Sequence, residues 1–210
     1  GVVNEKGEVI FGDKLLILFA RHILKAEPGA TIISEVKGSR TLYADIEAHG
    51  GKAIMWRTGH SLIKAAMKKF NAQLAGEMSG HMFFKHRWYG FDDAVYAGAR
   101  LLEILGGTKK PLSELLGDVP KTYVTEEIRI ETDEARKFEI VKQATRYFKD
   151  DLGLKVITID GARIEFDDGW GLLRASNTSP VLVMRCEADT PKRLKEIQQL
   201  IEKKVHELNK

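Results

Sequence analysis

"ATIISEVKGSRTLYADIEAHGGKAIMWRTGHSLIKAAMKKFNAQLAGE", residues 30–77, alternates short apolar runs with stretches of helical period. "ATIISEVK" reads as a buried strand, "SRTLYADIEAHGG" as a helix closed by glycine, and "KAIMWR" as a second strand. Residues 61–70 read as a further helix and "AQLAGE" as a third strand. Strand, helix, strand, helix, strand at this spacing predicts an α/β layer with a mostly parallel, mixed sheet and helices on both faces, three layers in all.

Upstream, "KLLILFARHILKAE" carries Leu15, Leu18, Phe19 and Ile23 at helical spacing until Pro28 and Gly29 stop it, with Asp13 as the expected N-cap. Before it, Val2–Val3 and Val9–Ile10 around "NEKG" read as two short strands and a turn. Downstream, Asp92 and Asp93 begin the helix "DAVYAGARLLEIL", which ends at Gly106 and Gly107. A short helix over 111–116 follows, and "GDVPKT" is the best linker candidate.

Beyond the linker the pattern changes. "YVTEEIRIE" reads as one strand, residues 134–149 as a helix, and "KVITID", "ARIEF", "WGLLRAS" and "VLVMRCE" as short strands. Thr190 and Pro191 open a final amphipathic helix. Strands between two flanking helices predict a smaller α+β domain with an antiparallel sheet.

The 210 residues leave room for one or two domains with sizeable cores. With 33 basic against 30 acidic side chains, the net charge of +3 is too small and too scattered to point to nucleic acid as a partner. Cys186 is the single cysteine, so neither an intrachain disulfide nor a cysteine metal centre is available, and a reducing, cytoplasmic setting fits. The longest apolar run, "LLILFA", is far short of the ~20 residues a membrane span needs, and the first residues lack the pattern of a signal peptide.

Three stretches could carry chemistry. In "AGEMSGHMFFKHRWYGFDDA", Glu77, Ser79 and His81 alternate between Gly76 and Gly80. An extended segment would project all three on one face, where acceptor, hydroxyl and imidazole suit the vicinal hydroxyls of a sugar. The plainer reading is a turn across which Glu and His pair. In "RTGHSLIKAA" a strand turns through Thr58 and Gly59 into a helix near His60, a place where open α/β sheets bind anions. There His60 could move a proton or bind phosphate, or Thr58 and its neighbours could merely cap the helix. Lys37 ends the preceding strand at the equivalent place. In "RASNTSPVLVMR", Arg174, Ser176, Asn177 and Thr178 could cradle a phosphate dianion, against the alternative of an ordinary hairpin turn. No carboxylate cluster has metal-ligand spacing. Trp56, Trp88 and Trp170 read as packing residues, and His22, His49, His86 and His206 as surface positions.

Together "VKGSR", "WRTGHSLIK", "GEMSGHMFFKHRWYGFDDAVYAGARLLEIL" and "GLLRASNTSPVLVMRCEADT" resemble the third and fourth domains of the bacterial phosphomannomutase/phosphoglucomutase family, in the α-D-phosphohexomutase superfamily. The resemblance implies residues 1–8 as the tail of a second domain, 9–118 as the third domain and 119–210 as the fourth. It implies that Glu77 and Ser79 hold the sugar 3- and 4-hydroxyls. Lys37, His60 and His81 would lie near the reacting centre, with His60 or His81 as acid/base, and Arg174, Ser176, Asn177 and Thr178 would grip the phosphate that is not reacting. The implied activity interconverts hexose 6-phosphate and hexose 1-phosphate, of mannose or glucose, through a phosphoserine and a hexose 1,6-bisphosphate, with Mg2+. The serine loop and the Asp-rich magnesium loop belong to N-terminal domains absent from these residues. The resemblance therefore implies a chain that binds substrate but is inactive alone. A free-standing sugar-phosphate binding module is the alternative.

Overall fold

A computed structural model describes all the residues, Gly1–Lys210, and the chain divides into compact units Gly1–Pro120 and Lys121–Lys210. The division falls within the Gly/Pro segment of the sequence.

The first unit begins with the antiparallel pair β1 (Val2–Val3) and β2 (Val9–Ile10), whose Val2 and Ile10 pack on the same core as the helix that follows. That helix, α1 (Gly12–Ala26), leads into β3 (Thr31–Glu35), α2 (Arg40–Ala48), β4 (Lys52–Trp56), α3 (His60–Phe70) and β5 (Leu74–Gly76). β3 pairs in parallel with both β4 and β5. An unanticipated strand, β6 (Met82–Phe84), then pairs antiparallel with β5 and closes the sheet in the order β4-β3-β5-β6. The three apolar residues of β6 are too short a run to stand out from a loop in sequence. α4 (Ala94–Gly106) and α5 (Leu112–Leu115) complete the unit.

Alternation within the strands builds three layers, because neighbouring side chains leave a strand on opposite faces. Ile32, Leu74, Met82 and Phe84 meet α1, α2 and α4 on one side, while Ile33, Ala75 and Phe83 meet Ile63, Ala66 and Met67 of α3 on the other. Both faces of the sheet are thereby covered, so its strands read as continuous apolar runs. The ends of β3, β4 and β5 are left to carry the polar chemistry.

Two local expectations change. Asp13 does not cap α1: Phe11 is the N-cap, and the buried Asp13 carboxylate instead accepts from the backbone N–H of Ser39, binding α1 to the start of α2. His86 is buried rather than exposed, against the guanidinium of Arg100. Asp93 does cap α4, accepting from the N–H of Tyr96 at 2.9 Å.

In the second unit, β7 (Tyr123–Val124), β8 (Ile128–Glu131), β9 (Lys155–Ile157), β10 (Ala162–Phe166), β11 (Gly169–Ala175) and β12 (Val181–Ala188) form one antiparallel sheet. β7 and β8 are separate strands, both on β12, where one continuous strand was expected. Between them Thr125 takes over the ladder, donating its N–H to the Cys186 carbonyl and accepting the Cys186 N–H on Oγ1. α6 (Lys137–Arg146) is shorter than the 134–149 expected and widens into a π-helical turn, Tyr147–Asp151. α6 and α7 (Pro191–Leu208) cover one face, over a core that includes Ile164, Leu173, Met184 and Ile201. Thr190 caps α7 through the N–H of Arg193. No helix of either unit is long and apolar enough to cross a membrane.

Candidate functional site

The loops after β3, β4 and β5 come together in the first unit. Residues 77–81 are not extended. The N–H of Glu77 bonds the carbonyl of His81 at 2.9 Å, and the N–H of Gly80 bonds the carbonyl of Glu77 at 3.0 Å. They form the tight turn of the β5–β6 hairpin, and the expected projection of three side chains on one face is replaced by a division of labour. Glu77 folds inward and is buried, while Ser79 and His81 are exposed.

Glu77 spends its carboxylate on the neighbouring loops. Oε1 accepts the N–H of Gly59 at 2.8 Å, and Oε2 accepts the hydroxyl of Ser79 at 3.3 Å. Gly59 is the N-cap of α3 at φ 127°, a conformation that L side chains rarely adopt, and it supplies no capping side chain. Thr58 does not cap the helix either. Its hydroxyl donates to Glu35 Oε2 at 2.5 Å. Gly59 thus caps α3 through its backbone alone, and neither it nor Thr58 supplies a capping side chain. The first amides of α3 open beside the hairpin turn, with exposed His60 at the first helical position and its ring 6.2 Å from that of His81.

His81 is oriented by Asp92, with Nδ1 to Oδ2 at 2.6 Å. A carboxylate oxygen can only accept here, so Nδ1 donates and Nε2 is left as the acceptor. Asp92 read in sequence as helix-initiating, and the pairing was not legible because it spans a strand and a turn.

Beneath the loops lies Glu35, fully buried at the end of β3. Its Oε1 accepts the N–H of Met78 at 3.0 Å, and Lys37 Nζ lies 3.6 Å from Oε2. Burial raises the Glu35 pKa, while Lys37, the Thr58 hydroxyl and the Met78 amide pull it back and Glu77 adds to the rise. Glycine at 12 completes the support: its N–H donates to the Met78 carbonyl at 3.2 Å, and a Cβ there would meet the Glu77 carbonyl oxygen at 2.3 Å. Neither Glu35 nor Gly12 stands out in sequence, since each is one ordinary residue at an element boundary.

The second unit carries the other candidate site by itself. β11 ends in Arg174 and Ala175, and the turn to β12 closes with the N–H of Ser176 on the Val181 carbonyl at 3.0 Å. Ser176 Oγ accepts the N–H of Thr178 at 3.3 Å, which curls the turn so that Asn177 and Thr178 are exposed. Arg174 is largely buried, with Asp160 Oδ2 3.3 Å from Nε. Buried Lys137 reaches the same turn, Nζ to the Ser179 carbonyl at 3.3 Å. Both cations already face a carboxylate, Arg174 that of Asp160 and Lys137 that of Glu134 at 2.6 Å, and with the curled backbone of the turn they suit a dianion.

No group of three or more His, Cys, Asp or Glu residues is placed to hold a metal ion.

Two family models match the chain. Phosphoglucomutase/phosphomannomutase, alpha/beta/alpha domain III, matches residues 11–123, and phosphoglucomutase/phosphomannomutase, C-terminal domain, matches residues 127–204. A phosphoglucomutase of Neisseria gonorrhoeae is 50% identical over 94% of this chain, which covers 43% of that protein. A phosphomannomutase/phosphoglucomutase of Pseudomonas putida is likewise 50% identical over 94% of this chain and 42% of its own length. The crystal structure of a phosphoglucomutase/phosphomannomutase family protein from Burkholderia thailandensis superposes with a TM-score of 0.89 at 44% identity, over 99% of this chain and 44% of that one. The chain thus spans less than half the length of these relatives.

Proposed function

The chain belongs to the phosphoglucomutase/phosphomannomutase family, and on that premise we propose that it binds hexose phosphate for an enzyme that interconverts hexose 6-phosphate and hexose 1-phosphate. In this reading the turn at 77–81 holds the sugar. Glu77 Oε2 accepts one hydroxyl and Ser79 Oγ, already donating to Glu77, accepts from its neighbour. The turn 174–178 holds the phosphate that is not reacting. Lys37, His60 and His81 serve the reacting end.

The chemistry proposed for the whole enzyme is transfer of a phosphoryl group from a phosphoserine to a sugar hydroxyl. The sugar O–P bond forms, the serine O–P bond breaks, and a base takes the hydroxyl proton. In the return step the other sugar O–P bond of the resulting hexose 1,6-bisphosphate breaks as a serine O–P bond forms, the serine hydroxyl gives up its proton and the freed sugar oxygen takes one up. Among the residues here, His81 Nε2 is the best placed base, because Asp92 holds Nδ1. The other part of the work is orientation, in which each turn holds its own part of the substrate. The proposed enzyme uses Mg2+, but the carboxylates of these residues do not fit such a site. In the proposal its ligands and the serine belong to N-terminal domains of the enzyme, which works in the cytoplasm, and the 210 residues alone turn over no substrate.

The observation that carries this reading is the Gly59 amide on Glu77, which fixes the sugar turn to the helix bearing His60. Titration of the 15N-labelled chain with glucose 1-phosphate and mannose 1-phosphate tests it. The amides of Ser79 and His81 should shift with both sugars, and those of Asn177 and Thr178 should shift in the parent but not in Arg174→Ala. Unchanged binding in Arg174→Ala would remove the phosphate assignment. A free-standing binding module predicts tight binding by the isolated chain, whereas a part of a larger cleft binds weakly.

A further inference from the structure

Glu35 is the one fully buried carboxylate near the sugar turn that the proposed chemistry does not use. Taking a charge out of water is costly unless it is paired and hydrogen-bonded, so its partners say what it is for. They come from three separate loops: Lys37 after β3, Thr58 after β4 and Met78 after β5. Its own backbone is pinned as well, because the Tyr43 hydroxyl donates to the Glu35 carbonyl at 2.6 Å. β3 lies between β4 and β5 in the sheet, so only a residue at its end can reach both neighbouring loops with one carboxylate.

We propose that Glu35 is a positioning residue that locks the 58–60 and 77–81 loops in register, so that Glu77 and Ser79 face a hexose while His60 and His81 stay side by side. This rests on the sugar-binding reading of the 77–81 turn. Two links join the loops: Glu77 to the Gly59 amide above, and Glu35 bridging the Thr58 hydroxyl and the Met78 amide below. With the lower link cut, Glu77 alone joins the two loops, and the Gly12 amide still tethers the Met78 carbonyl without reaching the 58–60 loop. The sugar hydroxyls would then meet a turn less firmly held against that loop. A fold-only role would need volume at this position and no acceptor oxygens, and that difference is testable.

Glu35→Met keeps the length and removes both acceptors. Glu35→Gln keeps both hydrogen bonds of the lock, its Oε1 accepting from Met78 and its Nε2 donating to the Thr58 hydroxyl, and gives up only the charge that faces Lys37. Amide hydrogen exchange reads the lock without any ligand, and titration with glucose 1-phosphate reads its consequence. Losing a charged acceptor predicts that exchange at Met78 and Gly59 in Glu35→Met speeds up about tenfold or more, with sugar affinity at the 77–81 turn falling by a similar factor. Glu35→Gln is expected to stay within about threefold of the parent in both readouts. Shifts of Asn177 and Thr178 with inorganic phosphate should be unaffected in every variant.

Parent-like exchange in Glu35→Met would overturn the proposal, and so would a Glu35→Gln chain as loose as Glu35→Met. If Glu35→Met does not fold, Thr58→Val removes one link only, and unchanged exchange at Gly59 would then decide against the lock. If the parent chain shows no shift at Ser79 or His81 with any sugar phosphate, the sugar-binding reading fails. The exchange data still judge Glu35 on their own.

Discussion

Gly12→Ala sets two effects of opposite sign against each other. Alanine is the better helix former by about 1 kcal/mol in a helix interior, and less in the first turn where residue 12 sits. Against that, the new Cβ would lie 2.3 Å from the Glu77 carbonyl oxygen and 2.9 Å from both the Met78 carbonyl oxygen and the Gly80 nitrogen. All three are backbone atoms, so no rotamer change relieves the contact. Restoring ordinary van der Waals separation moves the turn by about 1 Å, at an overpacking cost of ~1–3 kcal/mol, which outweighs the helical gain. A shift of that size displaces the Glu77 carboxylate from the Gly59 amide, which it now meets at 2.8 Å, and weakens that bond. Gly98→Ala is the matched control, on the exposed face of α4 with no atom within 4 Å of its Cβ. The expected outcome is a lower melting temperature for Gly12→Ala, at least tenfold weaker binding of glucose 1-phosphate by NMR titration, and a gain of up to ~1 kcal/mol for Gly98→Ala. A Gly12→Ala chain that melts with the parent and keeps the Ser79 and His81 shifts would refute the close-approach argument.

His86 and His22 both titrate below the usual imidazole value, first because of burial and then because of the Arg100 guanidinium, with Glu27, Glu103 and Arg87 as the other facing charges. The unfolded chain then binds more protons than the folded one below the ordinary value of 6.5, so stability falls as pH drops through that value and levels off once the folded imidazoles protonate too. Melting at about pH 7.5 and about pH 5.5 checks this, and the drop should shrink in His86→Gln. Thr190→Ala removes the acceptor for the Arg193 amide at the start of α7 and should cost about 1 kcal/mol by denaturant titration. An unchanged midpoint would mean that α7 is held by its packing alone. Asp92→Asn exchanges an acceptor-only partner of His81 for one that can also donate. 15N NMR of the imidazole should show Nδ1 fully protonated in the parent's neutral ring and a tautomer mixture in the variant, and equal spectra would count against Asp92 as the orienting group.

Periodicity carried the layers of the first unit because β3 and β5 are buried on both faces and the edge strand β4 is half-buried, so each reads as a short apolar run. It could not carry β6, three residues long, or the break between β7 and β8, where one threonine side chain substitutes for a ladder carbonyl. The polar residues of the 77–81 turn were legible as a group, since Glu77, Ser79 and His81 alternate. Their geometry was not. An alternating pattern describes an extended strand and a hairpin turn equally well, and what distinguishes them here is the His81 carbonyl on the Glu77 amide. Asp13, Asp92 and His86 share a different reason. Each looks locally explained in sequence, as a cap, a helix start or a surface residue, and each takes its actual partner from another element, which no local pattern encodes.

The two buried glutamates explain why the 77–81 turn needs so few side chains of its own. A three-residue exposed tip between antiparallel strands has little packing to hold it, and its small residues leave the backbone mobile. Hydrogen bonds to ionised acceptors are stronger than neutral ones, and in a site screened from water they are stronger still. Glu35 and Glu77 place such bonds on the Met78 amide, the Gly59 amide and the Thr58 hydroxyl. Their mutual repulsion contributes to raising the Glu35 pKa, and Lys37 offsets it. Lys37 faces Glu35, one of the two charges that hold the loops, and removing its ammonium should unsettle the 77–81 turn as well as any contact with phosphate. Lys37→Met tests that step: Met78 and Gly59 should exchange faster in the ligand-free chain, and unchanged exchange would show that Lys37 serves the ligand alone.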